Sequence, residues 1–427
     1  MTRTGQHSVW ISGIRLRAAN VVLVLAAVLL LVVIAFSTVQ ARTYKVLHRF
    51  HGAADGEYPV AGLVQDAAGN LYGVAGWGGG KGCSGGGCGT LFKLDATGKF
   101  TVLHRFSGGA DGSYPDALIR DQEGNLYGVA GFGGGKECFE GQGCGTVFKV
   151  DVNGKFTVLH HFNGEDGALP QSLMLDKAGD LYGETENGGS GHCYYQGYRI
   201  GCGTVFKLDA TGEETLLYSF RGRPDGKVPI GGMVRDAAGD LYGATLDAGL
   251  YGYGNVFELR KGKETVLSSF DDGTGGGQPN GVIADKEGNL YGTTVTGGTI
   301  PCYPISNGCG TVFELDTTGK ETVLYSFLGG QFRDGQLPLG PLIIDNAGDL
   351  YGTTWQGGVF SDGTVFKLTK AGKESVLHSF NGSDGAYPEY DSLIQDNAGD
   401  LYGTTPLGGG TACSGGMGCG VIFEISP

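Results

Sequence analysis

A motif of eight residues, Asp-x-x-Gly-(Asn/Asp)-Leu-Tyr-Gly, occurs seven times in this chain of 427 residues. A short apolar run precedes each copy, glycine allows the positive φ of a tight turn, and Asp or Asn can bond neighbouring backbone N–H groups. The motif therefore predicts a β-hairpin. Because a single hairpin is marginally stable in water, we expect the copies to pack against one another. They begin at Asp66, Asp121, Asp176, Asp236, Asp285, Asp345 and Asp396.

Four strand signals recur in each repeat. In the second repeat they cover residues 117–120, 125–130, 145–151 and 156–162, and successive Leu-Tyr-Gly units are 49 to 60 residues apart. Several short strands in a unit of about 50 residues, repeated in tandem, are typical of a β-propeller. No segment beyond the N-terminus has the periodicity of a long helix, so we predict an all-β fold.

The two ends of the chain predict how the ring closes. The last repeat stops at Pro427, before a fourth strand, whereas residues 43–50 resemble a fourth strand that precedes the first repeat. We therefore expect residues 43–50 to lie beside residues 421–426 and to complete the last blade, which leaves only short protected edges. The predicted fold is a seven-bladed β-propeller of four-stranded blades, closed by its N-terminal strand.

Residues 1–41 have the composition of an export signal. Arg3, Arg15 and Arg17 precede an unbroken apolar run over residues 21–36, and Val39-Gln40-Ala41 is a cleavage pattern. The alternative is an uncleaved N-terminal membrane anchor, since residues 18–39 are just long enough to span a bilayer. We predict that residues 42–427 form the propeller. They would be exported to the extracellular space, cell envelope or periplasm, or held at the membrane through the N-terminal segment alone.

The charge of the chain limits its partners. The formal net charge is −14, and Lys and Arg occur singly rather than in a cluster, which argues against nucleic-acid binding. The sequence indicates neither a cofactor nor a metal site, and we expect a monomer. The zinc-peptidase motif His-Glu-x-x-His does not occur.

Ten cysteines fall into five local pairs, each between the second and third strand signals of one repeat. Repeats four and six have no cysteine at this place, and such both-or-neither usage is what pairing predicts. Disulfides persist in the oxidising compartments that an exported chain meets, whereas the spacings are longer and more variable than in zinc sites. We predict the disulfides Cys83–Cys88, Cys138–Cys144, Cys193–Cys202, Cys302–Cys309 and Cys413–Cys419.

Three recurrent strings allow a comparison with a known family. They are Gly-Asn-Leu-Tyr-Gly (69–73), Gly-Thr-Val-Phe-Lys-Leu (203–208) and Val-Leu-His-Ser-Phe (376–380). Together with the Gly-Gly and Cys segments between them, they resemble the bacterial GloVer tandem repeat of the choice-of-anchor GloVer-containing proteins. The resemblance covers about residues 43–427 and implies an exported bacterial repeat protein of unknown function. It also implies an anchoring tail, which this sequence lacks after Pro427, so we expect any attachment to use the N-terminal segment.

Strand alternation places the long, variable connections on one face of a propeller, where functional residues tend to be carried. One set of connections carries Asp-Gly-x-x-Pro, which either makes a turn before the inner strand or contributes to a near-ring of carboxylates at the channel mouth, able to hold a cation or sugar hydroxyls. The acids just after the prolines are further candidates. These candidate ligand-binding acids are Asp55, Asp111, Asp116, Asp166, Asp225, Asp334, Asp384, Glu389 and Asp391.

Aromatic residues in the variable loops complete the candidate site. Trp77, Phe132 and Trp355 either stack on a sugar or pack beneath their own loops. The first functional hypothesis is a binding or interaction module for a carbohydrate or cell-surface ligand, acting through the Cys-loop face. The alternative is a propeller enzyme of the hydrolase, lyase or lactonase type, with Asp116, Glu389 and Asp391 at the channel mouth. A third hypothesis is a purely structural envelope protein.

Overall fold

The structure is a computed structural model that describes residues 42–80, 82–135, 138, 141–302, 307–389, 392–410, 413 and 416–426. Residues 44–426 form one compact unit. The predicted signal peptide or anchor, residues 1–41, lies outside the described residues, so its role stays a prediction. Within the described part of the chain, no helix has the length and apolar character needed to cross a membrane.

Seven four-stranded antiparallel sheets follow one another along the chain, which confirms the predicted seven-bladed propeller. We number the blades in chain order and give their strands from the first to the fourth. Blade 1 has Glu57–Pro59 with Val64–Gln65, Leu71–Trp77, Thr90–Leu94 and Phe100–Arg105; blade 2 has Ser113–Arg120, Leu126–Phe132, Thr146–Val150 and Phe156–His161; blade 3 has Ala168–Leu175, Leu181–Asn187, Thr204–Leu208 and Glu214–Ser219; blade 4 has Lys227–Arg235, Leu241–Asp247, Asn255–Arg260 and Lys263–Ser269. Blade 5 has Gly277–Ala284, Leu290–Thr296, Thr311–Leu315 and Glu321–Ser326; blade 6 has Ile343–Ile344, Leu350–Thr354, Thr364–Leu368 and Glu374–Ser379; blade 7 has Ile394–Gln395, Leu401–Thr405, Val421–Ser426 and Thr43–Arg49.

The strand Thr43–Arg49 pairs with Val421–Ser426, as the closure prediction required. The first strands are innermost and line a central cavity of about 270 Å³. They are longer than predicted in blade 2, where the strand begins at Ser113 and has a bulge between Pro115 and Ala117. Short additional strands lie in the loops, at Tyr194–Tyr195 with Tyr198–Arg199 and at Gly335–Gln336 with Gln356–Gly357, and 3-10 turns cover Cys83–Gly85 and Gly330–Phe332.

The core consists of apolar clusters shared by consecutive blades. The phenylalanine of the third strand is fully buried in every blade, and its ring packs on the glycine of Leu-Tyr-Gly. In blade 1, a Cβ atom added to Gly73 would lie 2.6 Å from the Phe92 ring, so any side chain here would force the packing to shift. Phe50 from the closing strand joins Phe92 in the cluster that links blades 7 and 1, which completes the ring of packed interfaces.

The repeated turn is stabilised by the tyrosine of its own motif. In the first copy, Asp66 Oδ1 accepts the Asn70 N–H at 2.9 Å, and Asp66 Oδ2 accepts the Asn70 amide at 2.7 Å and the Tyr72 hydroxyl at 3.1 Å. The same tyrosine-to-aspartate bond occurs in all seven copies at 3.0–3.4 Å. The motif is therefore a closed hydrogen-bonded unit in which Asp, Asn and Tyr depend on one another.

A second repeated feature joins each blade to the next. The residue before the proline of the connecting loop has positive φ in all seven repeats, although none is glycine: Tyr58, Tyr114, Leu169, Val228, Gln278, Leu337 and Tyr387. Its N–H donates to a carbonyl in the second-to-third-strand loop of the preceding blade. At the closure this bond runs from Tyr58 to Cys419 at 3.1 Å. The strained conformation is retained because it satisfies this backbone link between blades.

Candidate functional site

The ten cysteines form the five predicted disulfides, with Cα–Cα distances of 5.0–5.3 Å. Each bridge packs against the loop that leaves its blade. In blade 2, for example, a Cβ atom added to Gly164 would lie 3.2 Å from Cys138 Sγ. The cysteine loops and the Asp-Gly-x-x-Pro loops therefore share one surface, which we call the Cys-loop face. This confirms the predicted division of long and short connections between two faces.

The aspartates of the Asp-Gly-x-x-Pro motif make local contacts. Each carboxylate accepts a hydrogen bond from a backbone N–H at the start of its own loop and pairs with a His or Tyr of the preceding fourth strand. These pairs are His48–Asp55, His104–Asp111, His160–Asp166, Tyr218–Asp225, Tyr325–Asp334 and His378–Asp384, at 2.6–3.1 Å. These contacts give a physical reason for the first interpretation of the motif, a turn before the inner strand. A ligand-binding role for these six residues stays a prediction.

The His/Tyr–Asp pairing is also visible in the sequence, because both partners are replaced in the same repeat. In the fifth repeat, Ser268 replaces the His or Tyr, and Gly275 stands at the position of the aspartate. Both partners are lost together, and the Ser268 hydroxyl instead donates to Glu321 at 2.6 Å. The histidines of this strand position are therefore partners of an aspartate in the connecting loop.

Three carboxylates from different blades meet near the axis. Asp116 follows Pro115 on the inner strand of blade 2, Glu186 lies at the end of the second strand of blade 3, and Glu389 follows Pro388 in blade 7. Burial, together with the negative charges of Glu186 and Glu389, raises the pKa of Asp116 to about 8. Burial also raises the pKa values of Glu186 and Glu389. Asp116 faces the axial cavity and keeps some accessible surface there although protein surrounds it.

Glu389 is held by two aromatic side chains. The Tyr58 hydroxyl donates to Glu389 Oε2 at 2.7 Å, and the Trp355 side chain also hydrogen-bonds the carboxylate. The structure thus brings together Asp116, Glu389 and Trp355, three of the predicted site residues. It adds Tyr58 and Glu186, for which the repeat pattern offered no positional signal. A binding role for the three predicted residues stays a prediction.

The remaining candidates lie elsewhere. Trp77 and Phe132 flank Tyr114 at the junction of blades 1 and 2, with ring centroids 5.3 and 6.4 Å from the Tyr114 ring. Trp77 is exposed and Phe132 is half-buried. Asp391 lies outside the described residues. The predicted residues therefore form an axial group and a separate aromatic group rather than one site.

A fully buried glutamate was not predicted. Glu184 occupies the second-strand position that holds Val74 and Val129 in blades 1 and 2. Burial raises the pKa of its carboxyl to about 8, against the hydrogen bonds from Ser172 (3.0 Å) and the Gly232 backbone. Oε1 has no hydrogen-bond partner among the described residues. The other six blades have Val, Ala or Thr at this position, so a carboxylic acid there was the available signal.

The axial carboxylates are too far apart to ligate one ion together. Among the described residues, two groups of three or more His, Cys, Asp or Glu have ligand atoms within 4.8 Å of one another. One contains Cys413 and Cys419, whose sulfur atoms form a disulfide, with Glu57. The other is His48, His51 and Asp55.

A wide groove lies on the Cys-loop face, between the loops of blades 2 and 3. It has a volume of about 1120 Å³, and its lining includes Asn163, Glu165, Tyr195, Tyr198 and Arg199. The two tyrosines belong to a short hairpin inside the Cys193–Cys202 loop. Both are exposed, at 63% and 67%. The groove combines flat aromatic rings with charged and amide groups.

The hairpin beside this groove is braced at its base. Arg199 donates from Nη2 to the Ser190 carbonyl at 2.7 Å and from Nε to the Gly191 carbonyl at 3.1 Å. The Ile200 N–H donates to the Cys193 carbonyl at 3.0 Å, next to the disulfide. These contacts hold the tyrosines out toward solvent without burying their rings.

The fold and the disulfide-braced loops define a seven-bladed propeller whose variable loops lie on one face. The family model of the Gloeobacter/Verrucomicrobia repeat matches residues 33–196 and 191–423. The chain belongs to this family, which confirms the resemblance found in the repeat motifs. A search of curated proteins gives no match.

Solved structures share the fold at low identity. The extracellular domain of a proposed hybrid two component system, BT3049 from B. thetaiotaomicron, has a TM-score of 0.54 and 12% identity over 90% of this chain and 41% of its own. The corresponding domain of BT4673 from the same organism has a TM-score of 0.53 and 10% identity, over 88% of this chain and 39% of its own. This chain therefore spans about two-fifths of these structures. Five disulfides are consistent with an exported protein.

Proposed function

We propose that this protein is an exported propeller that binds a carbohydrate through its Cys-loop face, in the groove between blades 2 and 3. The observation that carries the proposal is the pair of exposed tyrosines, Tyr195 and Tyr198, on a disulfide-braced hairpin at the edge of that groove. Exposed rings beside polar groups suit a sugar, whose apolar face stacks on the ring while its hydroxyls take hydrogen bonds.

The energetics favour a recognition role over simple packing. An exposed tyrosine keeps apolar area in water, and contiguous patches of this kind mark binding surfaces. Tyrosine also offers a large contact area at a low entropic cost, and the braced hairpin reduces that cost further. Glu165 and Arg199 also line the groove and supply an acceptor and a donor. Uncharged or mixed-charge polysaccharide is the ligand class that fits this combination.

Binding of the full-length, oxidised protein to a panel of soluble and insoluble polysaccharides tests the proposal. The double variant Tyr195→Ala/Tyr198→Ala should weaken binding at least about tenfold, a loss of about 1.4 kcal/mol. Tyr251→Ala is the matched control, because Tyr251 is an exposed tyrosine of the blade 4 loop, outside the groove. Retention of binding by the double variant, or the absence of any polysaccharide ligand, would contradict the proposal.

A second candidate function is supported by the axial carboxylates. A carboxyl with a pKa of about 8, such as Asp116, is protonated at neutral pH and can act as a general acid, while a neighbouring carboxylate acts as a base. We therefore propose hydrolase, lyase or lactonase chemistry at the channel mouth as the alternative. Screening lactone and glycoside substrates with the wild type and Asp116→Asn tests it. Turnover that survives in Asp116→Asn would exclude Asp116 as the acid.

A further inference from the structure

We propose that His48, His51 and Asp55 form a binding site for one divalent transition-metal ion of the zinc type, at the seam between blades 7 and 1. His48 Nε2 and His51 Nδ1 lie 3.0 and 3.2 Å from the same oxygen, Asp55 Oδ2. The three ligand atoms all lie within 4.8 Å of one another. Two imidazoles and one carboxylate are a ligand set that zinc accepts, with a fourth position left for water.

The observed separations are close to those that a bound ion requires. Metal–ligand bonds of about 2.0–2.2 Å in a tetrahedron place neighbouring ligand atoms about 3.3 Å apart. Small movements of His51 are enough to reach this arrangement, since its side chain is 72% exposed. The exposure also gives the ion a path from solvent. The net charge of −14 attracts cations to the protein in general.

The buried half of the site is already oriented. The His48 ring stacks on Phe100, with centroids 3.9 Å apart and planes inclined by 10°, and its side chain is 16% exposed. Asp55 is 13% exposed, and its Oδ1 accepts the His51 backbone N–H at 2.8 Å, which leaves Oδ2 facing both imidazoles. Such supporting contacts fix ligand orientation in metal sites.

The other blades show what is particular to this position. The pair His104–Asp111 repeats the first half of the site at 3.1 Å, but Ser107 stands where His51 stands in blade 7. Asn381 occupies the same place beside Asp384 and donates to it at 3.0 Å. His51 can serve as such a donor too. Unlike Ser107 and Asn381, however, it adds a second imidazole nitrogen, and it is the only histidine at this position in the seven repeats.

A bound ion would connect two parts of the ring closure. His48 belongs to the closing strand Thr43–Arg49, whereas His51 and Asp55 belong to the connection that enters blade 1. A metal ligated by both parts stabilises this connection by the free energy of binding. All three ligands come from residues 48–55, so the ion would brace the turn that leads from blade 7 into blade 1.

The test is a zinc titration of the full-length, oxidised protein without a polyhistidine tag, followed by calorimetry and thermal melting. We expect one saturable equivalent, a higher melting temperature with zinc, and a tetrahedral absorption spectrum with Co²⁺. His51→Asn, which copies Asn381, should lower the affinity at least about tenfold. The exposed His192→Asn is the matched control and should bind zinc as the wild type does.

A gain-of-function variant gives an independent result. Ser107→His places a second imidazole beside the existing His104–Asp111 pair and should create a second equivalent of bound zinc. The circular dichroism spectrum of each variant shows whether it is folded. If the wild type shows no saturable binding up to about 100 µM zinc, its affinity is too weak for a three-ligand site. That result would overturn the proposal. Unchanged affinity in folded His51→Asn would overturn it as well.

Discussion

Replacing Glu184 by glutamine should stabilise the protein by an amount that grows with pH. Burial raises the pKa of this carboxyl from 4.5 to about 8. An acid with a higher pKa in the folded state holds its proton more tightly there than in the unfolded chain. The free-energy cost of folding with Glu184 buried is therefore absent below the unfolded pKa. This cost increases as the pH rises from 4.5 toward 8, and it is complete above the folded pKa.

The magnitude follows from the two pKa values. The linkage relation gives a penalty of about 1 kcal/mol at about pH 5, about 3 kcal/mol at pH 7 and about 5 kcal/mol at pH 9. Glutamine has nearly the same shape, remains neutral throughout, and its carbonyl can accept the Ser172 hydroxyl bond. The variant should therefore gain stability over the wild type along this curve.

Urea unfolding of both proteins at the three pH values, followed by circular dichroism, measures this difference. Glu123→Gln, which removes the same formal charge from an exposed turn, reports the general effect of charge on stability. The quantity to compare is the change of the stability difference with pH, because any fixed cost of the new amide group cancels. A difference that stays constant from about pH 5 to pH 9 would refute the assignment of a neutral, buried carboxyl to Glu184.

Three further predictions concern the repeated frame. Gly73→Ala should destabilise the protein by about 1–3 kcal/mol in urea unfolding, because the new methyl group meets the Phe92 ring; an unchanged midpoint would contradict that packing. The double variant Cys193→Ser/Cys202→Ser should lose about 2–3 kcal/mol, as expected for so short a loop, and thermal melting without reductant measures this. Burial raises the pKa of Asp121, but hydrogen bonds from its turn outweigh this and lower the pKa overall. The stability that Asp121 contributes is thus full above the unfolded pKa and is lost as pH falls through the folded value, so Asp121→Asn should cost about 1 kcal/mol at neutral pH and less in acid unfolding.

The fold was predictable because the same pattern of strands and turns occurs in seven repeats. Strand, turn and strand recur with one hydrophobic pattern, and the missing fourth strand of the last repeat is found before the first. Packing of Phe50 against Phe92 shows why this exchange works, since the closing strand brings the same side chain that every other fourth strand brings. The disulfides were predictable because each repeat has either both cysteines of a pair or neither.

The site was less predictable because it depends on contacts between blades. Asp116 and Glu389 are distant in sequence, and only the ring brings them to Glu186. The positive φ of Val228 and its equivalents could not be predicted from the residue types at these positions. The conformation is imposed by the backbone hydrogen bond to the preceding blade. The exposure of Tyr195 and Tyr198 likewise depends on how Arg199 braces the hairpin.

Residues that depart from the repeat are the best guide to function in this molecule. A position filled alike in seven blades is explained by packing, as with the tyrosine that caps each turn. A chemically active residue present in one blade alone has no such explanation. His51 replaces Ser107 and Asn381, Glu184 stands where the other blades have Val, Ala or Thr, and the Cys193 loop alone carries an aromatic hairpin among the described residues. The face with short Asp-x-x-Gly turns has little room for such changes, because each turn is closed by its own hydrogen bonds. A substitution leaves the frame intact on the Cys-loop face and at the axis, and these are the places where we expect ligand contacts.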